Sequence, residues 1–191
     1  MNNRHKLNLK HLIKGCKKQD LKAQSELYNG YKDILFTICL KYCKNVEEAE
    51  DNLQDAFMAI FKNITKYNGK GSFEGWMKRI VINKAIDRYK KDTFINVMIN
   101  DDLLADTDID TSQLTLPLNV ILNTIQELPD RYRLIFNLYE MDGYTHKEIA
   151  KLLTISESTS KSNLHRAKLI LKEKIKSINL SQTANTINYG K

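Results

Sequence analysis

The chain has 191 residues, enough for one or two small domains, and its 42% hydrophobic and 28% charged residues are ordinary for a soluble globular protein. The formal net charge of +7 favours an acidic partner, most often nucleic acid, although solubility alone also explains such a charge. No run of 18 apolar residues and no apolar signal-peptide core is present, so we expect no membrane insertion and a cytoplasmic location.

The three cysteines, an odd number, argue against a disulfide framework. Cys39 and Cys43 are one helical turn apart and could supply two metal ligands. Their neighbours are apolar, however, and no Cys-x-x-Cys motif or nearby His pair completes a zinc set. The pattern therefore predicts buried structural thiols, Cys16 among them, and no metal or cofactor.

Residues 8–44 have the periodicity of two helices. In the first, apolar residues recur at helical spacing at Leu9, Leu12, Ile13 and Cys16. Asp20 is suited to cap the second helix, and Gly30 interrupts the pattern of that helix and is a candidate bend.

Val46–Ile64 has the clearest amphipathic pattern of the first half. Its apolar face comprises Ala49, Leu53, Ala56, Phe57, Ile60 and Ile64. Its opposite face comprises Asp51, Gln54, Asp55 and Met58. From the pattern alone, this acidic and amidic stripe is either an ordinary solvated face or a surface for a basic partner.

Tyr67–Ser72 is a glycine-rich connector that contains Lys70 but lacks the spacing and the preceding strand of a phosphate-binding loop. The helix predicted after it, Phe73–Lys91, has a central apolar line of Phe73, Met77 and Ile80. On one flank of that line lie Trp76, Arg79, Asn83 and Lys90. An aromatic ring, an amide and two cations suit a single-stranded base and its phosphates, whereas Trp76 taken alone also suits the core.

Residues 92–117 carry six acids and no Lys or Arg, with little periodicity, and we interpret them as a linker and domain boundary. The acids are Asp92, Asp101, Asp102, Asp106, Asp108 and Asp110. Two further helices are predicted at Leu118–Gln126 and Arg131–Met141, between Pro129 and Gly143. From the second of these, Ile135, Leu138 and Tyr139 are expected to pack on Ile149 and Leu153.

Residues 142–176 are typical of a helix-turn-helix. Thr145 and Glu148 form a capping-box pattern, residues 154–156 make a short turn, and Ser156 can cap the second helix. At about 100° per residue, the second helix has Leu164, Ala167, Leu171 and Ile175 on the side of Ser160. On its other side are Ser158, Lys161, Ser162, His165 and Arg166. A helix face of short polar and cationic side chains suits contact with base edges in the DNA major groove. The alternative is an ordinary solvated basic helix.

Several of these stretches are similar in sequence to one protein family. They are AEDNLQDAF, the block from Phe73 to Arg88, LPDRYRLIF, DGYTHKEIAKLL and SESTSKSNLHRAK. Together they resemble regions 2 and 4 of bacterial RNA polymerase sigma factors of the extracytoplasmic-function (ECF) group. The resemblance covers about residues 8–91 and 118–176.

The resemblance implies an all-α protein of two small domains joined by a flexible acidic linker. Residues 1–91 would be region 2, residues 92–117 the linker, residues 118–176 region 4 and residues 177–191 a frayed tail. The implied partners are core RNA polymerase, through its beta-prime coiled-coil and beta flap, promoter DNA and an anti-sigma factor. No catalysis, small-molecule substrate or cofactor is implied.

The resemblance also assigns residues to these partners. Those for core polymerase are Asp51, Gln54, Asp55 and Met58. Those for the melted minus-ten element are Trp76, Arg79, Asn83, Arg88 and Lys90, with Asn83 as the base reader. Those for the minus-thirty-five duplex are Ser158, Lys161, Ser162, His165 and Arg166.

Three positions of the helix-turn-helix differ from the residues most frequent in the family. Thr154 and Ser158 stand where Gly is frequent, and Ser160 stands where Val is frequent. If the turn requires a positive φ at Thr154, its β-branched side chain costs of order 1 kcal/mol. Loss of a buried Val-like side chain at Ser160 would cost about as much.

Two other classes of function compete with the sigma factor. A free-standing helix-turn-helix regulator would use the C-terminal half, dimerise and bind a palindrome, but would leave the Asp51–Met58 stripe without a role. A nucleic-acid enzyme would need paired carboxylates, a nucleophile motif or a phosphate loop, and the sequence offers none of these.

Overall fold

The computed structural model describes residues 3–95 and 117–188. The chain divides into two compact units, Met1–Asn96 and Val97–Lys191. All regular structure in the described ranges is helical, which confirms the predicted all-α class. The helices of the first unit are α1 (Asn3–Lys17), α2 (Leu21–Tyr42), α3 (Val46–Asn63) and α4 (Phe73–Ile95). Those of the second are α5 (Leu118–Gln126), α6 (Asp130–Phe136), α7 (His146–Leu153) and α8 (Glu157–Asn188).

The first unit is built on mutual packing of α2, α3 and α4, with α1 against α2. The Asp20 carboxylate accepts hydrogen bonds from the backbone of Lys22 and Ala23, so the predicted N-cap of α2 is confirmed. α2 continues through Gly30 without interruption. The core takes up the whole predicted apolar face of α3, since Ala49, Leu53, Ala56, Phe57, Ile60 and Ile64 are all buried.

A buried polar side chain joins these three helices. The Asn52 amide on α3 donates to the Val81 carbonyl oxygen on α4 (3.2 Å) and to Cys39 Sγ on α2 (3.4 Å). Cys39, Cys16 and Cys43 are buried free thiols, as predicted. Burial raises the pKa of the Cys39 thiol, so the group stays neutral near pH 7.

The second unit packs α5, α6 and α7 around the N-terminal half of α8. One apolar cluster joins Ile125 and Leu128 to Ala167 and Leu171 of α8. Both predicted caps are confirmed. Thr145 and Glu148 form a complete capping box at α7, and Ser156 Oγ accepts from the Thr159 amide at the start of α8 (2.9 Å).

Several predicted boundaries were wrong. α4 runs to Ile95 rather than ending before residue 92, because Asp92 and Thr93 supply no helix-breaking residue. The predicted frayed tail is helical as far as Asn188, where the sequence likewise holds no Gly or Pro. The remaining linker residues, including the acids Asp101, Asp102, Asp106, Asp108 and Asp110, lie outside the described ranges.

The predicted helix Arg131–Met141 is in fact two segments. α6 begins at Asp130 and gives way to a π-helical turn at Asn137–Met141. Ile135 and Leu138 are buried as expected. Tyr139 is not: it is 36% exposed and stacks on His146, with ring centroids 4.3 Å apart.

Candidate functional site

The acidic stripe of α3, comprising Asp51, Gln54, Asp55 and Met58, is exposed along its whole length. Met58, the apolar member of the stripe, is 72% exposed. The stripe therefore presents two carboxylates, an amide and a thioether on a helix whose position is fixed by the core.

Arg88 of α4 lies against this stripe. Its guanidinium donates to Asp51 Oδ2 (3.4 Å) and Asp55 Oδ2 (3.3 Å). The Arg88 side chain is 26% exposed, and those of Asp51 and Asp55 are 68% and 53% exposed. Burial by itself would lower the pKa of Arg88, but the two carboxylates outweigh it and raise that pKa above its usual value. Arg88, predicted as a DNA contact, is thus an ion-pair partner of the acidic stripe.

Trp76 belongs to an aromatic cluster at the start of α4. Its ring stacks on Phe73, with centroids 5.5 Å apart, and lies 5.5 Å from the ring of Tyr67. Phe73 is buried, whereas Trp76 and Tyr67 are half-buried. Trp76 therefore packs against its aromatic neighbours and keeps part of its surface open, and its role towards a DNA base stays a prediction.

The loop before α4 is held from two sides. The Tyr67 hydroxyl donates to the Gly71 carbonyl oxygen (2.9 Å), and Lys17 Nζ of α1 donates to the Tyr67 carbonyl oxygen (2.8 Å). Gly69 and Gly71 both have φ of +81°, a conformation that side-chain-bearing residues avoid. Beyond the loop, Arg79 and Asn83 are exposed and Lys90 is half-buried.

The turn of the helix-turn-helix has the strain that its sequence predicts. Thr154 has φ of +59° and ψ of +46°, the left-handed conformation, and its amide donates to the Ala150 carbonyl oxygen. The Ile155 amide donates to the same oxygen at 3.0 Å. These two bonds satisfy the Ala150 carbonyl oxygen in the last turn of α7 and help to fix the direction in which the chain enters α8.

The front of α8 only partly matches the predicted set. Ser158 and Lys161 are exposed, and Ser162 is half-buried. Arg166 is also half-buried, and its guanidinium donates to the Tyr132 hydroxyl at 3.4 Å. His165 is only 7% exposed, so its predicted place on the exposed front was wrong. α8 packs on α5, α6 and α7, and a helix with three neighbours buries more than one face.

Ser160 lies at 0% exposure, as its place on the apolar side of α8 predicts. Its hydroxyl is 3.0 Å from His146 Nδ1 at the start of α7. This bond satisfies the hydroxyl and ties the two helices of the motif together. His146 was not identified from the sequence, and Tyr139, which stacks on it, was expected to pack on Ile149 and Leu153 instead. The signal that could have indicated a polar partner is Ser160 itself, because a buried hydroxyl in an apolar row requires one.

Within the described residues, no group of three or more His, Cys, Asp or Glu side chains could hold a metal ion. In the same ranges, no helix has the length and apolar character needed to cross a bilayer.

Comparisons with known proteins agree with this arrangement. Residues 27–94 match the family description Sigma-70 region 2, and residues 118–171 match Sigma-70, region 4. The ECF RNA polymerase sigma factor SigW of Bacillus subtilis is 29% identical over 186 residues, covering 89% of this chain and 98% of SigW. SigM of the same organism, also an ECF RNA polymerase sigma factor, is 30% identical over 155 residues, covering 77% of this chain and 91% of SigM.

Among solved structures, the sigma factor RpoE of Bartonella quintana, in complex with the anti-sigma factor NepR, is similar in fold. Its TM-score is 0.50 at 18% identity, covering 82% of this chain and 98% of RpoE. The likeness to SigM and SigW extends over nearly their full length and includes both sigma regions. The chain therefore belongs to the ECF group of bacterial RNA polymerase sigma factors.

Proposed function

We propose that this chain binds core RNA polymerase, recognises promoter DNA in two places and promotes promoter opening. The observation that carries the proposal is the presence, in one chain, of three features: the exposed acidic stripe of α3, the partly open Trp76 ring with exposed Arg79 and Asn83 on α4, and a capped helix-turn-helix. A free-standing regulator needs only the last of these. Sigma factors as a family are not enzymes, and we propose that this chain likewise performs no chemistry and acts in the cytoplasm.

The polymerase surface that we propose is Asp51, Gln54, Asp55 and Met58. Two carboxylates on a rigid helix suit the basic side chains of the beta-prime coiled-coil, and the exposed Met58 adds apolar area at the edge. Arg88 holds both carboxylates from one side and leaves them more than half exposed on the other. The second unit would dock on the beta flap.

For the minus-ten element, we propose that Trp76, Arg79, Asn83 and Lys90 receive the melted strand. The open part of the Trp76 ring offers a wall for an extruded base, Asn83 offers amide hydrogen bonds to a base edge, and the cations neutralise phosphates. Capture of an unstacked base offsets an unstacking cost of a few kcal/mol, so a protein without ATP can trap open DNA.

For the minus-thirty-five duplex, we propose Ser158, Lys161, Ser162 and Arg166. The lysine and arginine suit phosphates or guanine edges, and the short hydroxyl side chains allow close approach to the groove. We do not include His165 as a base contact, because its ring is buried within the second unit. It would support the DNA-contacting side chains of α8 by packing behind them.

We further propose that an anti-sigma protein controls this chain, as NepR accompanies RpoE in the Bartonella quintana complex. A protein that covers the acidic stripe would prevent assembly with polymerase, and one that covers a DNA-contacting surface would prevent promoter recognition.

The deciding experiment is reconstitution with core RNA polymerase from the chain's own bacterium. We expect the purified chain to co-elute with core enzyme and to start transcripts on genomic DNA at sites that core enzyme alone does not use. Mapping the 5′ ends would reveal the promoters. Failure to bind core enzyme, together with dimeric binding to a palindromic duplex, would assign the chain to free-standing regulators instead.

A further inference from the structure

Helix α1 lies outside the residues that match sigma region 2, which begin at residue 27. Its sequence, NRHKLNLKHLIKGCK, contains no Asp or Glu. It contains five residues that are cationic at neutral pH, namely Arg4, Lys6, Lys10, Lys14 and Lys17. A helix this basic, with no acid of its own to neutralise it, creates a local positive potential well above that of the chain as a whole.

Three of these cations share one face. Lys10, Lys14 and Lys17 stand at positions i, i+4 and i+7 of α1, within about 60° of one another around the axis. All three are exposed, and we call them the basic ridge. The apolar side chains of α1 pack towards a different side, centred about 120° around the axis from the ridge. Of these, Cys16 is fully buried, and Leu9, Leu12 and Ile13 are half-buried.

The basic ridge ends at the loop that precedes α4. Lys17 Nζ donates to the Tyr67 carbonyl oxygen at 2.8 Å, and the ring of Tyr67 in turn lies beside Trp76. Two further exposed cations, Lys66 and Lys70, lie in or directly before this loop. The ridge is therefore continuous with the flank that we propose for the melted minus-ten strand.

We infer that the basic ridge binds the phosphates of promoter DNA next to the minus-ten element, so that α1 extends the DNA-binding surface of the first unit. This inference rests on the proposed function. The spacing suits a phosphate backbone, because side chains four residues apart on a helix are about 6 Å apart along its axis and each can take a separate phosphate. Contacts of this kind fix register and add affinity without reading sequence.

Charge and position together favour DNA over the other anionic partners. A membrane-surface helix needs large exposed apolar side chains opposite its cations, and the described part of α1 has none. An acidic protein surface would satisfy the charge but would not explain why the ridge is joined to the loop beside Trp76.

The test removes two cations of the ridge and leaves Lys17, whose bond to the loop is structural. The variant is Lys10→Gln/Lys14→Gln, since glutamine is a good helix former and both sites are exposed. The matched control is Lys22→Gln/Lys62→Gln, which removes the same charge from exposed sites on α2 and α3. The probe is a fluorescent promoter fragment with a premelted minus-ten region, bound by holoenzyme reconstituted with each variant.

We expect Lys10→Gln/Lys14→Gln to weaken DNA binding roughly tenfold at 0.1 M salt. We also expect the slope of log K against log salt to fall in magnitude by about 1.4, because each lost single-strand phosphate contact removes about 0.7. The control variant should change affinity less than about twofold, and the affinity of both variants for core enzyme should stay at the wild-type value.

Equal effects of the two double variants, or an unchanged salt slope, would overturn the inference. A loss confined to core-enzyme binding would overturn it too and would assign the ridge to an acidic surface of polymerase. These results differ from failure of the proposed function itself, in which wild-type protein would neither bind core enzyme nor direct initiation.

Discussion

Thr154 is the residue at which local strain is clearest. A β-branched side chain in the left-handed region is unfavourable, and the turn keeps it there because two hydrogen bonds to the Ala150 carbonyl oxygen require this backbone direction. The strain is a property of one residue, so a substitution at that residue should remove it.

We therefore predict that Thr154→Gly raises the free energy of unfolding of the second unit by about 1 kcal/mol. Native-state hydrogen exchange of the amides in α7 and in the start of α8 measures this directly. Thr154→Ala is the control, because it removes the branch but keeps the Cβ atom and should gain less. A glycine variant no more stable than the alanine variant would show that the turn is unstrained.

Asp55 is the residue that best tests the acidic stripe. We predict that Asp55→Arg weakens binding to core polymerase roughly tenfold or more, because it puts a cation beside Arg88 at the place where a basic partner must dock. Glu26→Arg, at an exposed site on α2, makes the same change in charge and should bind normally. Analytical gel filtration with labelled core enzyme gives the affinities, and circular dichroism checks that both variants are folded.

A substitution of Arg166 tests the proposed DNA-contacting face of α8. We predict that Arg166→Ala weakens binding to minus-thirty-five duplex by roughly 1–3 kcal/mol. Tyr132→Phe removes only the hydroxyl that Arg166 contacts and should have a smaller effect. If the two variants weaken binding equally, Arg166 supports the fold of the unit and does not contact DNA.

At the scale of secondary-structure elements, the features that the sequence predicts correctly are those formed between residues close together in the chain. The Asp20 cap, the capping box of Thr145 and Glu148, and the Ser156 cap join residues at most three apart, so a short window contains the whole interaction. The buried face of α3 was equally readable, since one side of that helix meets the core.

Features that depend on packing between elements could not be read in this way. Arg88 and Asp51 are separated by 37 residues, and nothing in the periodicity of either helix pairs them. His165 is buried because three helices surround α8. A helical-wheel projection that assumes one buried face does not predict this. The bond between His146 and Ser160 joins α7 to α8 across 14 residues and was missed for the same reason.

The attachment of α5 to α8 is an element-scale contact with a simple test. We predict that Leu171→Ala destabilises the second unit by roughly 2–4 kcal/mol, because Leu171 is buried in the cluster with Ile125 and Leu128. Hydrogen exchange should show loss of protection in α5. Lys172→Ala alters the next, exposed residue of the same helix and should leave that protection intact.

At the scale of the whole molecule, the chain is two units that each have their own core. The first is organised around Leu35, Ile60 and Ile82 and the second around Ile135, Leu138 and Ile149, all of them buried. The division into two domains was expected from the acidic segment between them. The predicted C-terminal end of that segment agrees with the start of α5 at Leu118, whereas its N-terminal end does not, because α4 continues to Ile95.

We predict that a fragment of residues 1–96 folds by itself. Trp76 is the only tryptophan of the chain, so its fluorescence reports on the first unit alone. The fragment and the full chain should have the same emission maximum and the same midpoint of urea unfolding by this probe. A red-shifted emission in the fragment would mean that the first unit needs the rest of the chain for its structure.

The pairing of Arg88 with Asp51 and Asp55 affects how much binding free energy another protein gains at the acidic stripe. A cation that approaches either carboxylate meets a group whose charge is already shared with a guanidinium. The two carboxylates keep exposed surface for a second cation, but Arg88 has already neutralised part of their charge, so a further cation gains less from them than from unpaired carboxylates. On the proposed function, a stray basic surface would gain little here, whereas a surface that also fits Gln54 and Met58 would gain from contacts that Arg88 does not make. The internal ion pair would thus favour partners that match the whole stripe over partners that are merely basic.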